Sequence, residues 1–389
     1  MSPAPLKGII IIDLETTGLS PRYDQPTQFA AARLDENLNE IETVDILARP
    51  QNHILPSPKA LVVQRRGIEE VMSAPVSHYE LMARIEGVIS AWGPAFILGQ
   101  NSLKFDEEFL RNGFYAGLRQ PYATQFNGNR RADLLCATWF VHALEPGIIA
   151  VPAGFSLGPL AAANGYAGHD AHDALGDVRA TAHIVRLLAA GAPSIWQHLL
   201  DLTDKKVVLE QLVGSDFVLV VKRGAATVRA VVPIGLNPDY ENDCFAIDLS
   251  KDPTPMLGLS VEELAGALAK PHALQKIRIN AMPTIVGPDH PAAKRILLRP
   301  NIPPEASRWA RTLCADRGFC KRAVATARLL QKPYPEPVYV EDRLYSGGFF
   351  PLPVDRGVIA AFHAADPAKK RVLIDLMRDD RARQFGLRI

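Results

Sequence analysis

The feature that most constrains this chain is the segment Gly8–Leu14, GIIIIDL, four isoleucines in a row closed by an acid and followed at once by Glu15. A run so apolar and β-branched reads as a buried strand, ended by a turn at Thr17-Gly18. Side chains alternate along a strand, so Asp13 and Glu15, two residues apart, project from one face. Two carboxylates side by side at the end of an apolar strand repel each other unless something positive lies between them. A divalent cation is the usual solution, and ligands that are all oxygen select Mg²⁺ or Mn²⁺ over zinc. A solvated acid pair at a strand end would leave the same trace, so the rest of the chain has to decide.

Two further strand-like runs follow, Gln28–Leu34 and Ile41–Ala48, separated by the polar turn Asp35-Glu36-Asn37, a spacing that predicts an antiparallel meander. Helical patterns come next at Tyr79–Trp92, Phe105–Tyr115, Leu134–Leu144 and Ala174–Ala189, with an apolar strand at Ala95–Leu98. Strands first, then strands alternating with helices, predict a mixed sheet flanked by helices. Gly191-Ala192-Pro193 breaks the pattern, and the texture beyond it is richer in strands. Phe217–Val221 and Thr227–Val232 read as a hairpin about Gly224, with further strands at Phe245–Leu249, Lys276–Ile279, Arg295–Leu298 and Val338–Val340 and a helix at Val261–Leu268. The chain reads as helical again beyond Tyr345-Ser346-Gly347-Gly348.

Later residues supply company for the first acid pair. Phe105-Asp106 follows the Ala95–Leu98 strand and places a third carboxylate at a helix start. The stretch His169-Asp-Ala-His172-Asp-Ala-Leu-Gly-Asp177 opens the helix at Ala174 and adds a fourth, Asp177, five residues after His172. Four carboxylates from three segments can hold two metal ions ~3.5–4 Å apart, the separation suited to in-line phosphoryl displacement. A histidine of ordinary pKa around 6.5 beside them can take the proton of an attacking water. His169 and Asp173 are rivals in the same stretch; the acids nearest His169 are not five residues on, so His169 reads as supporting structure.

Composition bounds the partners. Hydrophobic residues make up 48% and charged residues 22%, an ordinary globular balance that excludes disorder as the main state. The net charge of +1 is unevenly spread: residues 1–192 carry 15 Lys and Arg against 20 Asp and Glu, while the remainder carries 28 against 22. An acidic front and a basic back suit a polyanion held by one part and processed with metal ions by the other. Four scattered cysteines with no C-x-x-C pair indicate neither a zinc site nor a disulfide framework. No signal-peptide pattern opens the chain, and no apolar run approaches the ~20 residues of a membrane-spanning helix, so a cytoplasmic protein without membrane association is expected.

These acids and the histidine, in this order, resemble the DEDDh family of 3′→5′ exonucleases, and within it the bacterial exonuclease I family. The likeness is carried by Asp13-Leu-Glu15-Thr, Gln28-Phe-Ala-Ala, Ile97-Leu-Gly before Phe105-Asp106, Phe114-Tyr115, Asp133-Leu-Leu and Ala171-His-Asp-Ala followed by Asp177. Further on, Ile279-Asn280 with Pro283 and Leu344-Tyr345 with Gly348-Phe-Phe are similar to that family's second domain and its exit. The resemblance implies an α/β fold with an RNase H-like mixed sheet and flanking helices over residues 1–192, a β-rich SH3-like domain over 193–350, and a short helical C-terminal region over 351–389. It implies processive hydrolysis of single-stranded DNA from the 3′ end to 5′-mononucleotides with two Mg²⁺ ions, Mn²⁺ being a substitute, in DNA repair and recombination. Asp13, Glu15, Asp106 and Asp177 are then the metal ligands, Asp13 bridging, and His172 the general base. It also implies a monomer that meets the acidic C-terminal tail of a single-stranded DNA-binding protein. Three departures stand out: Ser102 where the family often has Asn, Ser156 after Phe155 where an Arg is usual, and a chain that stops at Arg381-Ala-Arg383-Gln-Phe where relatives continue, from which weaker processivity is expected.

A strand held without reading its sequence needs phosphate neutralisation and base stacking. Lys222 and Arg223 beside Gly224, together with Arg278, Lys294, Arg295 and Arg299, are the candidate phosphate contacts, and Phe105, Tyr115 and Phe126 the candidate stacking platforms. Each could equally be a solvated charge or a core ring. A strand passing between an acidic and a basic domain would admit single strands and exclude a duplex by width. Two other readings stay open: a DEDDh nuclease acting on RNA 3′ ends, since recognition of the 2′-OH leaves no mark in the sequence, and a single-stranded DNA-binding module without catalysis.

Overall fold

The computed structural model describes residues 5–152, 154–167, 173–222, 227–346 and 353–389. His169, His172, Arg223, Gly224 and Gly347–Phe350, all named above, lie outside the described residues. The chain forms two compact units, one of residues 1–130, 168–182 and 335–389, the other of residues 131–167 and 183–334.

The first unit is built on the meander that the sequence predicts. Strands β1 (Ile9–Thr16), β2 (Pro26–Leu34) and β3 (Glu40–Arg49) run antiparallel, with β4 (Val76–Ser77) parallel to β3 and β5 (Phe96–Gly99) parallel to β1. The order is β4-β3-β2-β1-β5. Arg130, the first residue of β6 (Arg130–Asp133), donates its N–H to the Ala95 carbonyl. Ile10, Ile12 and Leu14 face a core closed by Leu81, Met82, Ile85 and Ile89 of the helix His78–Trp92 and by Phe109, Leu110 and Phe114 of the helix Asp106–Ala116. The first helix starts where Ser77 and Glu80 form a reciprocal capping box, satisfying two of the N–H groups a helix leaves orphaned. With Ile10, Ile12 and Leu14 committed to that core, the alternation of the strand puts Asp13 and Glu15 on its opposite face.

Residues 335–389 add a second core to this unit. Tyr115 and Leu118 pack with Val340, Leu344, Ile359, Phe362, Ile374, Met377 and Phe385; Ile359, Phe362, Ile374 and Phe385 lie on the helices Pro353–Ala364, Pro367–Leu376 and Asp380–Gly386. Asp355, fully buried, accepts the backbone N–H groups of Arg378 and Asp379 at 2.8 and 2.7 Å.

The second unit carries the antiparallel sheet β10-β9-β8-β7-β11, formed by β7 (Val218–Lys222), β8 (Thr227–Leu236), β9 (Asp243–Asp248), β10 (Leu274–Arg278) and β11 (Ile285–Val286). Two expected strands are absent. Residues 294–297 of the predicted Arg295–Leu298 strand form a short helix, because Pro291 starts a turn whose N-terminal cap is the His290 ring. Val338–Val340 pairs with nothing, since the prolines at 333, 335 and 337 remove ladder donors and Val340 already opens a 3-10 turn capped by Asp342. Helices that the pattern left unread, Pro193–Asp201, Lys205–Gly214, Ala306–Ala315 and Arg317–Leu329, make this unit mixed rather than simply strand-rich. The fold is therefore α/β: a mixed sheet with flanking helices, a second sheet, and C-terminal helices.

Candidate metal centre

Asp13 and Glu15 stand opposite Ala30 and Gln28 of β2. On the other side of β1 the pairing with β5 stops at Ile11 and Leu98, so both acids lie beyond the end of β5, where the sheet opens. The chain then turns sharply to deliver Asp106. Gly99 makes the turn possible, because a Cβ there would sit 2.6 Å from the Ile12 carbonyl oxygen. Asn101 adopts the left-handed conformation at φ 61°. The Ser102 hydroxyl accepts the Gly99 N–H at 3.0 Å and lies 3.2 Å from its carbonyl, so the departure from Asn at this position leaves a buried, tied turn. Asp106 is the first residue of its helix and is 2% exposed. The positive end of the helix dipole favours its carboxylate.

Asp177 arrives on the helix Ala174–Gly191. One carboxylate oxygen from each of Asp13, Glu15 and Asp177 lies within 4.8 Å of the others, the one such group among the described residues. Asp106 joins them electrostatically: after burial it is the strongest influence raising Asp13, ahead of Asp177 and Glu15. Asp13 is thereby held well above the usual carboxylate range. Glu15 is pushed up to about 8, by burial first and by Asp177 next, against a smaller downward pull from Arg66. A cluster that resists ionisation when nothing positive is present is one that a cation would satisfy. The three grouped donors are carboxylate oxygens, a set suited to a hard divalent cation.

Asp173, the rival acid, has a different occupation. It precedes the helix, and one of its oxygens accepts the Gly176 N–H at 3.2 Å, an N-terminal cap. The other accepts from Gln28 Nε2 at 3.1 Å and lies 3.9 Å from the Arg66 guanidinium. Gln28 and Arg66 are the residues that sequence reasoning missed as neighbours of the site. Gln28 had a signal, its place opposite Glu15. Arg66 had none: it follows the helix Pro58–Gln64 after a left-handed Arg65, and reaches its place because Gln64 Nε2 donates to the Thr16 carbonyl at 2.6 Å.

The candidate nucleic-acid contacts are spread more widely. Phe105 packs partly into the first core, its ring 4.8 Å from that of Phe109. Tyr115 is 1% exposed and donates its hydroxyl to the Val340 carbonyl, so it is a core ring and not a stacking platform. Phe126 is 47% exposed. Lys222 is half-buried, its ammonium hydrogen-bonded to Gln275 and its pKa lowered by burial. Arg278 is exposed and lies 3.5 Å from Asp243. Lys294 and Arg295 are exposed and Arg299 half-exposed. Ser156 caps the helix Leu157–Ala163 without a side-chain hydrogen bond. No helix among the described residues is long and apolar enough to cross a membrane.

Residues 10–185 match the RNase_T exonuclease family, a span that includes Asp13, Glu15, Asp106, His172 and Asp177. Exodeoxyribonuclease I of Escherichia coli K12 is 30% identical over 268 residues, covering 65% of this chain and 56% of that protein. Exodeoxyribonuclease I of Haemophilus influenzae Rd is 30% identical over 291 residues, covering 70% and 61%. The sequence match thus spans 56% and 61% of the length of these two relatives. The crystal structure of E. coli exonuclease I in complex with a dA16 oligonucleotide matches with a TM-score of 0.85 at 25% identity, over 97% of this chain and 85% of that one.

Proposed function

We infer that this chain is an exonuclease I, a hydrolase that removes 5′-mononucleotides from the 3′ end of single-stranded DNA. The observation that carries the reading is the convergence of Asp13, Glu15 and Asp177 within 4.8 Å, with Asp106 acting on the same group, at the open end of β1. The likeness to exonuclease I bound to a DNA oligonucleotide supports the substrate.

In this reading Asp13, Glu15, Asp106 and Asp177 would hold two Mg²⁺ ions. When bound, such ions would supply positive charge for an in-line displacement at phosphorus. The protein's own task is to hold the four carboxylates in place. β1 fixes two of them, the Gly99–Ser102 turn fixes Asp106, and Asp173 anchors the start of the helix that carries Asp177. His172 takes the proton of the attacking water as its oxygen bonds to phosphorus and the bond to the 3′ oxygen breaks. The residue that follows it, Asp173, is held by Gln28 and Arg66 beside the acids.

The excess of basic residues after position 192 supports phosphate contacts, with Arg278, Lys222 and Arg223 as candidates and Phe105 as a base-stacking ring. The reading extends to a monomer that serves DNA repair and engages the acidic tail of a single-stranded DNA-binding protein. The test is to offer single-stranded DNA and RNA of one sequence, each labelled at the 5′ or the 3′ end, in Mg²⁺. Immediate release of label from 3′-labelled DNA, with a descending ladder from 5′-labelled DNA, is expected. Equal or faster attack on RNA would move the assignment to an RNA-trimming nuclease.

A further inference from the structure

Outside the acid cluster, two thiols meet at the corner between the helices Ala306–Ala315 and Arg317–Leu329. Cys314 lies in the last turn of the first helix and is exposed; Cys320 lies in the first turns of the second and is half-buried. Asp316 is the whole joint. It ends one helix and caps the next, its carboxylate accepting the Phe319 N–H at 2.8 Å. A one-residue corner folds the chain back, so that two thiols six positions apart influence each other's ionisation. Cys320 Sγ lies 3.6 Å from the carbonyl of Leu313, the residue just before its partner, and Cys314 Sγ lies 3.9 Å from that of Pro233.

Both sulfurs are reachable. Cys314 lines a hollow of about 460 Å³ with Leu212, Pro233, Ile234 and Arg311, and Cys320 lines a neighbouring one of about 470 Å³ with Ile234, Val324 and Arg328. The other two cysteines contrast with them: Cys244 is buried and its thiol is pushed up to about 11 by burial, while Cys136 is half-buried in a different part of the chain. Two accessible thiols brought to one helix corner are the arrangement of a reversible dithiol, not of packing cysteines.

We propose that Cys314 and Cys320 form a redox-active dithiol whose substrate class is the hydroperoxides and whose product is an intramolecular disulfide. Each thiol acts on the other's ionisation: Cys320 is lowered to about 7, while Cys314 is raised and keeps its proton. The Cys320 thiolate attacks one peroxide oxygen, the O–O bond breaks, and hydroxide leaves and takes up a proton to become water. Cys320 is then a sulfenic acid. The Cys314 sulfur attacks the Cys320 sulfur, the S–O bond breaks, and the departing hydroxyl leaves as water with the Cys314 proton. Two thiols and one hydrogen peroxide thus give one disulfide and two waters, sulfur being oxidised and peroxide oxygen reduced.

The chain makes the test direct, because Arg317 lies between the two cysteines. The full-length protein is treated with one equivalent of hydrogen peroxide, the remaining thiols are blocked, and trypsin is added. The expected product is a disulfide-linked pair of peptides, Thr312–Arg317 joined to Gly318–Lys321, with two of the four thiols lost and both recovered on adding dithiothreitol. In Cys314→Ser the link is absent and dimedone traps a sulfenic acid on Cys320; in Cys320→Ser neither product forms at this dose. Retention of four thiols in the wild type, or a link through Cys136 or Cys244, overturns the proposal. The wild-type peptide map stands on its own should either variant fold poorly.

Discussion

Gln28 Nε2 donates to Asp173 at 3.1 Å across 145 residues of chain, while Gln28 itself stands opposite Glu15 in the sheet. The same amide nitrogen reaches Asp45 at 2.8 Å, and its oxygen accepts from Arg66 at 3.1 Å. Gln28 is 1% exposed, so removing its amide strands several partners at once. Gln28→Leu is expected to lower nuclease turnover about 10–100-fold by loosening Asp173, which caps the helix that carries Asp177. Its cost to folding is about 1–3 kcal/mol. Single-turnover cleavage and urea unfolding on the same preparation check both figures.

The acid cluster makes the metal-free protein less stable than it would otherwise be. Asp13 is raised by burial and by three neighbouring carboxylates of the cluster. Asp13→Asn removes part of that repulsion. Without divalent metal at pH 8 the variant is expected to melt above the wild type, by an amount on the order of 1 kcal/mol. With millimolar Mg²⁺ the wild type gains melting temperature and the variant gains little. Calorimetry with and without EDTA reads both effects.

His78 gives the fold a sensitivity to acid that is independent of the cluster. It is 4% exposed, and burial lowers it to about 4. Between pH ~6.5 and ~4 the unfolded chain takes up a proton that the folded chain refuses, so stability falls as pH falls through this window, by about 3 kcal/mol in full. His78→Leu should flatten that part of the curve of unfolding free energy against pH, as measured by urea titration at each pH.

Gly99 is the position where a single methyl group should separate geometry from charge. Its Cβ would lie 2.6 Å from the Ile12 carbonyl oxygen and 2.9 Å from the Ser102 Cβ. Gly99→Ala is expected to cost about 1–3 kcal/mol of stability. By moving the start of the Asp106 helix it should also lower turnover about a hundredfold with every acid still present. Guanidinium unfolding and cleavage kinetics separate the two losses.

The sequence was most legible where a physical period governs it. The isoleucine run, the two strands after it and the alternation that pairs Asp13 with Glu15 follow from strand geometry, and β1 to β3 lie within two residues of where that reading puts them. The helices Leu134–Leu144 and Val261–Leu268 begin and end where the sequence places them. What failed was short and governed by local competition. Arg295–Leu298 has the short apolar run of a strand, but a proline turn sets a helical start. Arg66 could not be placed at all, because it depends on a left-handed residue and on a Gln64–Thr16 bond between distant segments. Asp173 is a rival in the same stretch as Asp177; the cap it makes to Gly176 and its bond from Gln28 tell the two apart.

The most direct test compares the wild type with Asp177→Ala on a 5′-labelled DNA single strand in Mg²⁺, reading the mononucleotides released and the shortened ladder. The account predicts steady shortening from the 3′ end by the wild type, and a loss of at least a thousandfold in the variant with its melting curve in EDTA not lowered. Cleavage by the variant at a rate near that of the wild type would mean that the acids gathered at the end of β1 do not carry the reaction.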